Sequence, residues 1–163
     1  MELATLKDLY IEQLRDLYSA ESQLCEALPK MVKAAHNAEL KSSFEQHLKE
    51  TKQQRQDVGD LIRAHGHDPE GHECKAMKGI IAEGEEMIKE KADPDVKDAG
   101  LIAAAQRVEH YEIAGYGTVC AYAKRLGDKK GAEILHRIAQ EEGDTDQKLT
   151  MLAEQVINPA AMQ

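Results

Sequence analysis

Along most of the chain, apolar residues recur at alternating steps of three and four. That is the period of a helix buried along one face. One stretch reads Leu14, Leu17, Glu21, Leu24, Leu28, Met31, and a second reads Leu40, Phe44, His47, Thr51, Gln54, Val58, Leu61. A third runs Ile102, Ala105, Glu109, Glu112, Tyr116, Val119, Ala123, Leu126. The fourth runs Leu135, Ile138, Glu142, Thr145, Leu149, Leu152, Val156. A shorter amphipathic stretch sets Met77, Ile81 and Ile88 on one face.

Punctuation between these stretches predicts the boundaries. Thr5 is placed to cap a first helix over 6–36, with Asp8 three residues on. Pro29 inside it removes the hydrogen bond to the Cys25 carbonyl and predicts a kink. Asn37 can end that helix or cap the next, over 38–65. The segment from His65 to His72 then breaks the pattern with two glycines and a proline. A shorter helix is predicted over 74–91. Asp93-Pro94 reads as an N-cap followed by proline at the first helical position, opening a helix that stops at Gly127. Asp128 caps a last helix running to Ile157, before Asn158-Pro159.

Tight turns near Asn37 and Gly127 make two antiparallel helical hairpins, and the middle segment serves as a crossover carrying its own short helix. Two hairpins joined by one long crossover is the connectivity of a ferritin-like four-helix bundle. The expectation is therefore an all-α protein, with residues 1–163 as a single domain.

Composition agrees and narrows the partners. Good helix formers dominate, while the chain has no Trp and a single Phe, Phe44. A formal charge of −9, spread along the chain, disfavours nucleic acid and anionic membrane surfaces, which both need a basic footprint. No apolar run approaches the roughly 20 residues that span a bilayer. The segment Met1-Glu2-Leu3-Ala4-Thr5 lacks the basic and apolar parts of a signal peptide. Cys25, Cys74 and Cys120 are widely spaced and odd in number, as suits free thiols in a reducing cytoplasm.

The informative feature is where the apolar seams turn polar. Glu21, Glu109, Glu112 and Glu142 occupy seam positions, Glu50 flanks the second seam within a turn of His47, and Asp146 sits beside Thr145. Glu21 and Glu50 both fall roughly 20–24 Å from the turn at Asn37. Glu109, Glu112, Glu142 and Asp146 lie roughly 20–28 Å from the turn at Gly127. Antiparallel packing would gather them all in one layer near mid-bundle. Buried carboxylates of like charge need compensating cations or protons. Lys and Arg are absent from the seams, so bound metal is the natural source of positive charge. Oxygen-rich ligation without thiolate suits iron, manganese or other hard ions.

Several segments are similar to the YciE/YciF family of bacterial stress-associated ferritin-like proteins, and the resemblance covers nearly the whole chain. It rests on Asp16-Leu-Tyr-Ser-Ala-Glu21-Ser-Gln-Leu, His47-Leu-Lys-Glu50-Thr51, Cys74-Lys-Ala-Met-Lys-Gly79-Ile, the run from Ala99 through Glu109-His-Tyr-Glu112-Ile-Ala, and Glu141-Glu142 through Asp146-Gln-Lys-Leu149-Thr. The resemblance implies a cytoplasmic homodimer with a di-iron site reacting with oxygen, peroxide or iron. Within the wider ferritin-like superfamily, Glu21 and Glu109 resemble terminal ligands and Glu50 and Glu142 resemble bridging carboxylates. Glu112 resembles the additional acid of rubrerythrin-like sites. The usual Glu-x-x-His motifs are altered to Glu50-Thr-Lys-Gln53 and Glu142-Gly-Asp-Thr145. His47, Gln53 and Asp146 are the candidates to replace the missing histidines.

Other polar residues carry less. His65, His67 and His72 with Glu73 and Cys74 match no standard zinc spacing and read as an interhelical loop. His110 is turned about 100° from Glu109 and points off the seam. Tyr18 and Tyr116, one turn from Glu21 and Glu112, either donate hydrogen bonds to the layer or pack in the core. Two functions remain: a two-metal protein, with iron favoured over manganese or another divalent ion, or a non-enzymatic helical module for dimerisation or protein interaction.

Overall fold

The capping residues read from the sequence open the helices of the computed structural model, which describes residues 3–163. Met1 and Glu2, part of the amino-terminal segment read above, lie outside the described residues. Helix α1 (Leu6–Ala34) begins with a reciprocal capping box between Thr5 and Asp8 and runs through Pro29. The Asn37 side chain accepts from the Glu39 and Leu40 backbone N–H groups and opens α2 (Ala38–Ala64). The short α3 (Lys75–Lys89) is capped by the Cys74 thiol, and α4 (Pro94–Leu126) by Asp93 with proline in its first turn. Gly127 ends α4 with φ of 77°, a left-handed conformation that glycine adopts without a Cβ clash. Asp128 then caps α5 (Lys129–Leu152).

The carboxy terminus departs from expectation. The last helix does not stop before Asn158-Pro159: a π-helical turn, Ala153–Ile157, follows α5 and leads into a single α-turn, α6 (Asn158–Ala161). A π-turn carries one residue more than an α-turn. It advances the buried face by one position, so Ile157 is 1% exposed and Val156, read above as a seam residue, is 40% exposed. Pro159 falls in the first turn of α6, directly after the π-turn.

Among the described residues there is no strand, and the chain is a ferritin-like four-helix bundle. α1 pairs with α2 and α4 with α5; α1 also lies against α4, and α2 against α5. The crossover helix α3 covers the outside of the α1–α4 pair. Its seam is less buried than expected: Met77 is fully enclosed but Ile81 and Ile88 are half-covered, and Gly84 allows close approach to Ala104. At the other hairpin, Leu126 is exposed at the end of α4.

Two apolar clusters fill the ends of the bundle. One gathers Tyr10, Leu14, Leu17, Val58, Ile62, Val119, Leu135 and Ile138 near the α4–α5 turn. The other gathers Met31, Leu40, Phe44, Leu101, Ile102 and Leu149 near the α1–α2 turn. Burying each large aliphatic side chain contributes about 1.5–3 kcal/mol, which offsets what lies between the clusters. That intervening layer is polar.

Candidate metal centre

Each of the four long helices turns a polar side chain into this layer. α1 contributes Glu21, α2 His47, Thr51 and Gln54, α4 Glu109 and Glu112, and α5 Glu142 and Thr145, all of them buried. The apolar residues that continue each seam above and below the layer dictate that orientation, because rotating a helix to expose its glutamate would expose its leucines too.

His47, Glu109, Glu112 and Glu142 converge so that one ligand atom from each lies within 4.8 Å of the others. An ion with bonds of about 2.1 Å holds opposite ligands about 4.2 Å apart, so small side-chain shifts close the group on an ion. Glu21 completes the layer. It is fully buried and accepts a very short hydrogen bond from the phenol of Tyr116, on α4. Tyr18, the other candidate donor, instead reaches Glu70 of the interhelical loop at 2.8 Å.

Two of the sequence-predicted residues stand outside the group. Glu50 is half-buried and accepts from the Gln46 amide at 2.7 Å. Asp146 lies on the rim, accepting from Gln106 at 3.1 Å, with the exposed His110 ring 3.2 Å away. Gln53 bonds outward to Asp57. The residue sequence reasoning passed over is Gln54, whose amide donates to Glu142 at 2.6 Å and to Glu141 at 3.0 Å. Its place on the second seam was the available signal. The loop histidines part company: His65 meets Asp128 and His72 meets Asp16, on different helices. Asp98, also not foreseen, is buried and accepts from the backbone N–H groups of His36 and Asn37, holding the α1–α2 turn.

Electrostatics set this layer apart. Burial first, and then the charge of Glu142, push the Glu21 and Glu112 carboxyls well above the usual range. Burial and the adjoining Glu142 do the same to Glu109. Burial also raises Glu142, but the neighbouring Glu109, His47, Glu112 and Gln54 side chains outweigh it and hold this carboxyl below its ordinary value. Burial lowers His47 and favours the neutral ring, so its 3.1 Å contact with Glu109 joins uncharged groups rather than an ion pair. The layer thus sets three carboxyls shifted towards the acid form beside one shifted towards the carboxylate.

Nine buried side-chain polar atoms lack a hydrogen-bond partner among the described residues, and eight belong to this layer. They are Glu21 Oε2, His47 Nε2, Thr51 Oγ1, Gln54 Oε1, Glu109 Oε2, both oxygens of Glu112 and Glu142 Oε2. Native interiors satisfy nearly all such groups. Acceptors facing acceptors need something positive between them, either protons or metal ions. One nitrogen with several carboxylate oxygens suits iron, manganese or zinc, so the donor set fits a metal centre.

Comparison with known proteins agrees with the family resemblance. Residues 5–162 match the family described as a domain of unknown function, DUF892. The Escherichia coli K12 protein YciF is 42% identical over 162 residues, which cover 99% of this chain and 98% of that protein. The crystal structure of the E. coli stress protein YciF superposes with a TM-score of 0.91, covering 95% of this chain and 98% of that one. YcfI of Rhodopseudomonas palustris, 40% identical, gives 0.87 over 91% and 95% of the two chains. A Xanthomonas campestris protein, 21% identical, gives 0.75 over 94% of each and shares the fold.

Proposed function

Given that the chain belongs to the DUF892 family and is similar to a bacterial stress protein along its whole length, we propose that its mid-bundle layer holds two divalent metal ions, iron foremost, and acts on oxygen, peroxide or iron itself. The observation that carries this reading is the concentration of partnerless buried donors and acceptors in one layer drawn from all four long helices. His47, Glu109, Glu112 and Glu142 form the first ligand set. Glu21, buried in the same layer, would join Glu112 and Glu142 in holding the second. Glu50, which the resemblance implies as a bridging carboxylate, stands outside the converging group.

When bound, a pair of such ions supplies one-electron chemistry towards a small oxidant. The protein's own groups prepare the place. Tyr116 fixes one oxygen of Glu21, and Gln54 fixes one oxygen of Glu142. Burial keeps His47 neutral, so a ring nitrogen is free to ligate without first losing a proton. Glu21, Glu109 and Glu112 release their protons as cations arrive, which makes metal affinity rise with pH. The apolar clusters above and below exclude water, so charges in the layer act in a low dielectric.

Metal analysis of protein loaded anaerobically with Fe(II) or Mn(II) tests the proposal. Two ions per chain and a raised melting temperature are expected, since binding favours the folded state. A chain that retains no ion, and melts alike with and without metal, would be the non-enzymatic helical module instead.

A further inference from the structure

Glu50 is the acidic residue that helical depth assigns to the layer and the structure leaves beside it. Together with Glu39, Ser42, Ser43, Gln46 and Lys148 it lines an open cleft of about 250 Å³ between α2 and α5. His47 and Thr145 lie on the inner wall. Both are buried, and His47 belongs equally to the carboxylate layer. Its Nδ1 faces Glu109, while Nε2 is enclosed and has no partner. The cleft therefore leads from solvent, past two carboxylates, to the one nitrogen ligand of the metal centre.

A second cavity, of about 40 Å³, also touches His47 and Glu109, but Leu28, Met31, Phe44 and Val108 wall it. A hydrated divalent ion cannot enter such walls without losing its water shell to apolar surface. That cavity has Ser43 and Glu85 set among its apolar walls, whereas the α2–α5 cleft places two carboxylates, Glu39 and Glu50, beside Ser42, Ser43 and Gln46 along the way. We infer that this cleft is the path by which metal ions reach the layer, with Glu50 as the transit carboxylate that takes an ion from water and passes it to His47. The inference rests on the metal-centre reading and adds a role for a residue outside the ligand set.

The charges of the cleft make it testable. Glu39 and Glu50 attract a cation, and Lys148 opposes them. Lined clefts of one sign raise on-rates by roughly tenfold or more, in a salt-dependent way. Metal-free full-length protein is mixed with Mn(II) or Co(II), uptake is followed by stopped flow, and occupancy is measured separately by equilibrium dialysis. Glu50→Gln should slow uptake about tenfold while equilibrium occupancy is unchanged. Release into a chelator should slow by the same factor, because an unchanged affinity requires it. Lys148→Glu should speed uptake, and added salt should narrow the differences. Both positions lie on the helix surface, so circular dichroism and melting should match the wild type.

Uptake rates unmoved by Glu50→Gln would overturn the path while leaving the metal centre standing. Lost equilibrium occupancy would also overturn it, making Glu50 a ligand. Absence of uptake by the wild type would overturn the metal centre and the path together.

Discussion

The side-chain amide of Gln54, on α2, donates a 2.6 Å hydrogen bond to Oε1 of Glu142, on α5. It is a buried contact across the α2–α5 pair, made to the one carboxyl of the layer that its surroundings hold below its ordinary value.

Gln54→Leu removes this donor and leaves the charge less supported. The variant should lose about 1–2 kcal/mol in the metal-free protein, or roughly 2–8 °C in melting temperature. The deficit should shrink with Mn(II) bound, because the cation then holds Glu142. Paired thermal melts with and without Mn(II) check this, and equal deficits in both would place Gln54 outside the layer's electrostatics.

The glutamates of the layer should respond unequally to neutralisation. Glu112 has no hydrogen-bond partner at either oxygen and burial shifts it towards the acid form, so Glu112→Gln removes no bond and little support. Its metal-free form should melt within a degree or two of the wild type, or higher, with reduced metal content. Glu142→Gln instead removes the charged acceptor of the buried Gln54 amide, and should cost about 1–2 kcal/mol besides losing metal. Counting charges along the sequence suggests the reverse, that removing Glu142 relieves repulsion. Denaturant melts of the two variants decide between these outcomes.

Stability of the metal-free protein should depend on pH in opposite senses for the two kinds of carboxyl. Glu21, Glu109 and Glu112 bind protons more tightly folded than unfolded. Their contribution is fully present below the unfolded value of about 4.3 and is lost as pH rises through their raised folded values. Glu142 is held below its ordinary value, so its contribution is present above about 4.3 and lost as pH falls through the folded one. A stability maximum at mildly acidic pH follows, with a decline towards neutrality. Metal should reverse that decline, since ligation needs the deprotonated groups. Melting temperature from pH 4 to 9, with and without Mn(II), tests both slopes; a metal-free protein that gains stability towards neutrality would contradict the raised values.

The α4–α5 turn offers a test away from the layer. A Cβ on Gly131 would collide with the Asp128 carboxylate and stand 2.8 Å from Tyr10 Oη. Asp128 caps α5 and also meets Tyr10 at 3.1 Å and His65 at 2.9 Å. Gly131→Ala should therefore cost about 1–2 kcal/mol through the lost cap, despite the higher helix propensity of alanine. Asp128→Ala should cost a similar amount, and the double variant should be far from additive. Chemical denaturation of the three proteins reads this out.

Local signals along the chain were enough for the helices, their hairpin pairing and the depth of the polar layer. Thr5, Asn37, Asp93 and Asp128 cap where short-range hydrogen bonding says they must, and Gly127 stops α4 because only its backbone conformation is needed. The period of apolar residues placed Glu21, His47, Gln54, Glu109, Glu112 and Glu142 inward, because each is flanked by leucines, isoleucines or their equivalents that must be buried. Packing decided what periodicity cannot. On α2, residues 47, 50, 51 and 54 lie within one helical sector, and the approach of α5 turned His47 and Gln54 into the layer while leaving Glu50 on the cleft. Tyr116 finds Glu21 on another helix, and Tyr18 finds a loop; neither partner is within reach along the chain. One extra residue in a π-turn exchanged Val156 for Ile157, a phase shift that a strictly α-helical period does not contain. Capping and periodicity are properties of neighbours in sequence, whereas the choice of which carboxylates share one volume depends on distances between helices that meet only when folded.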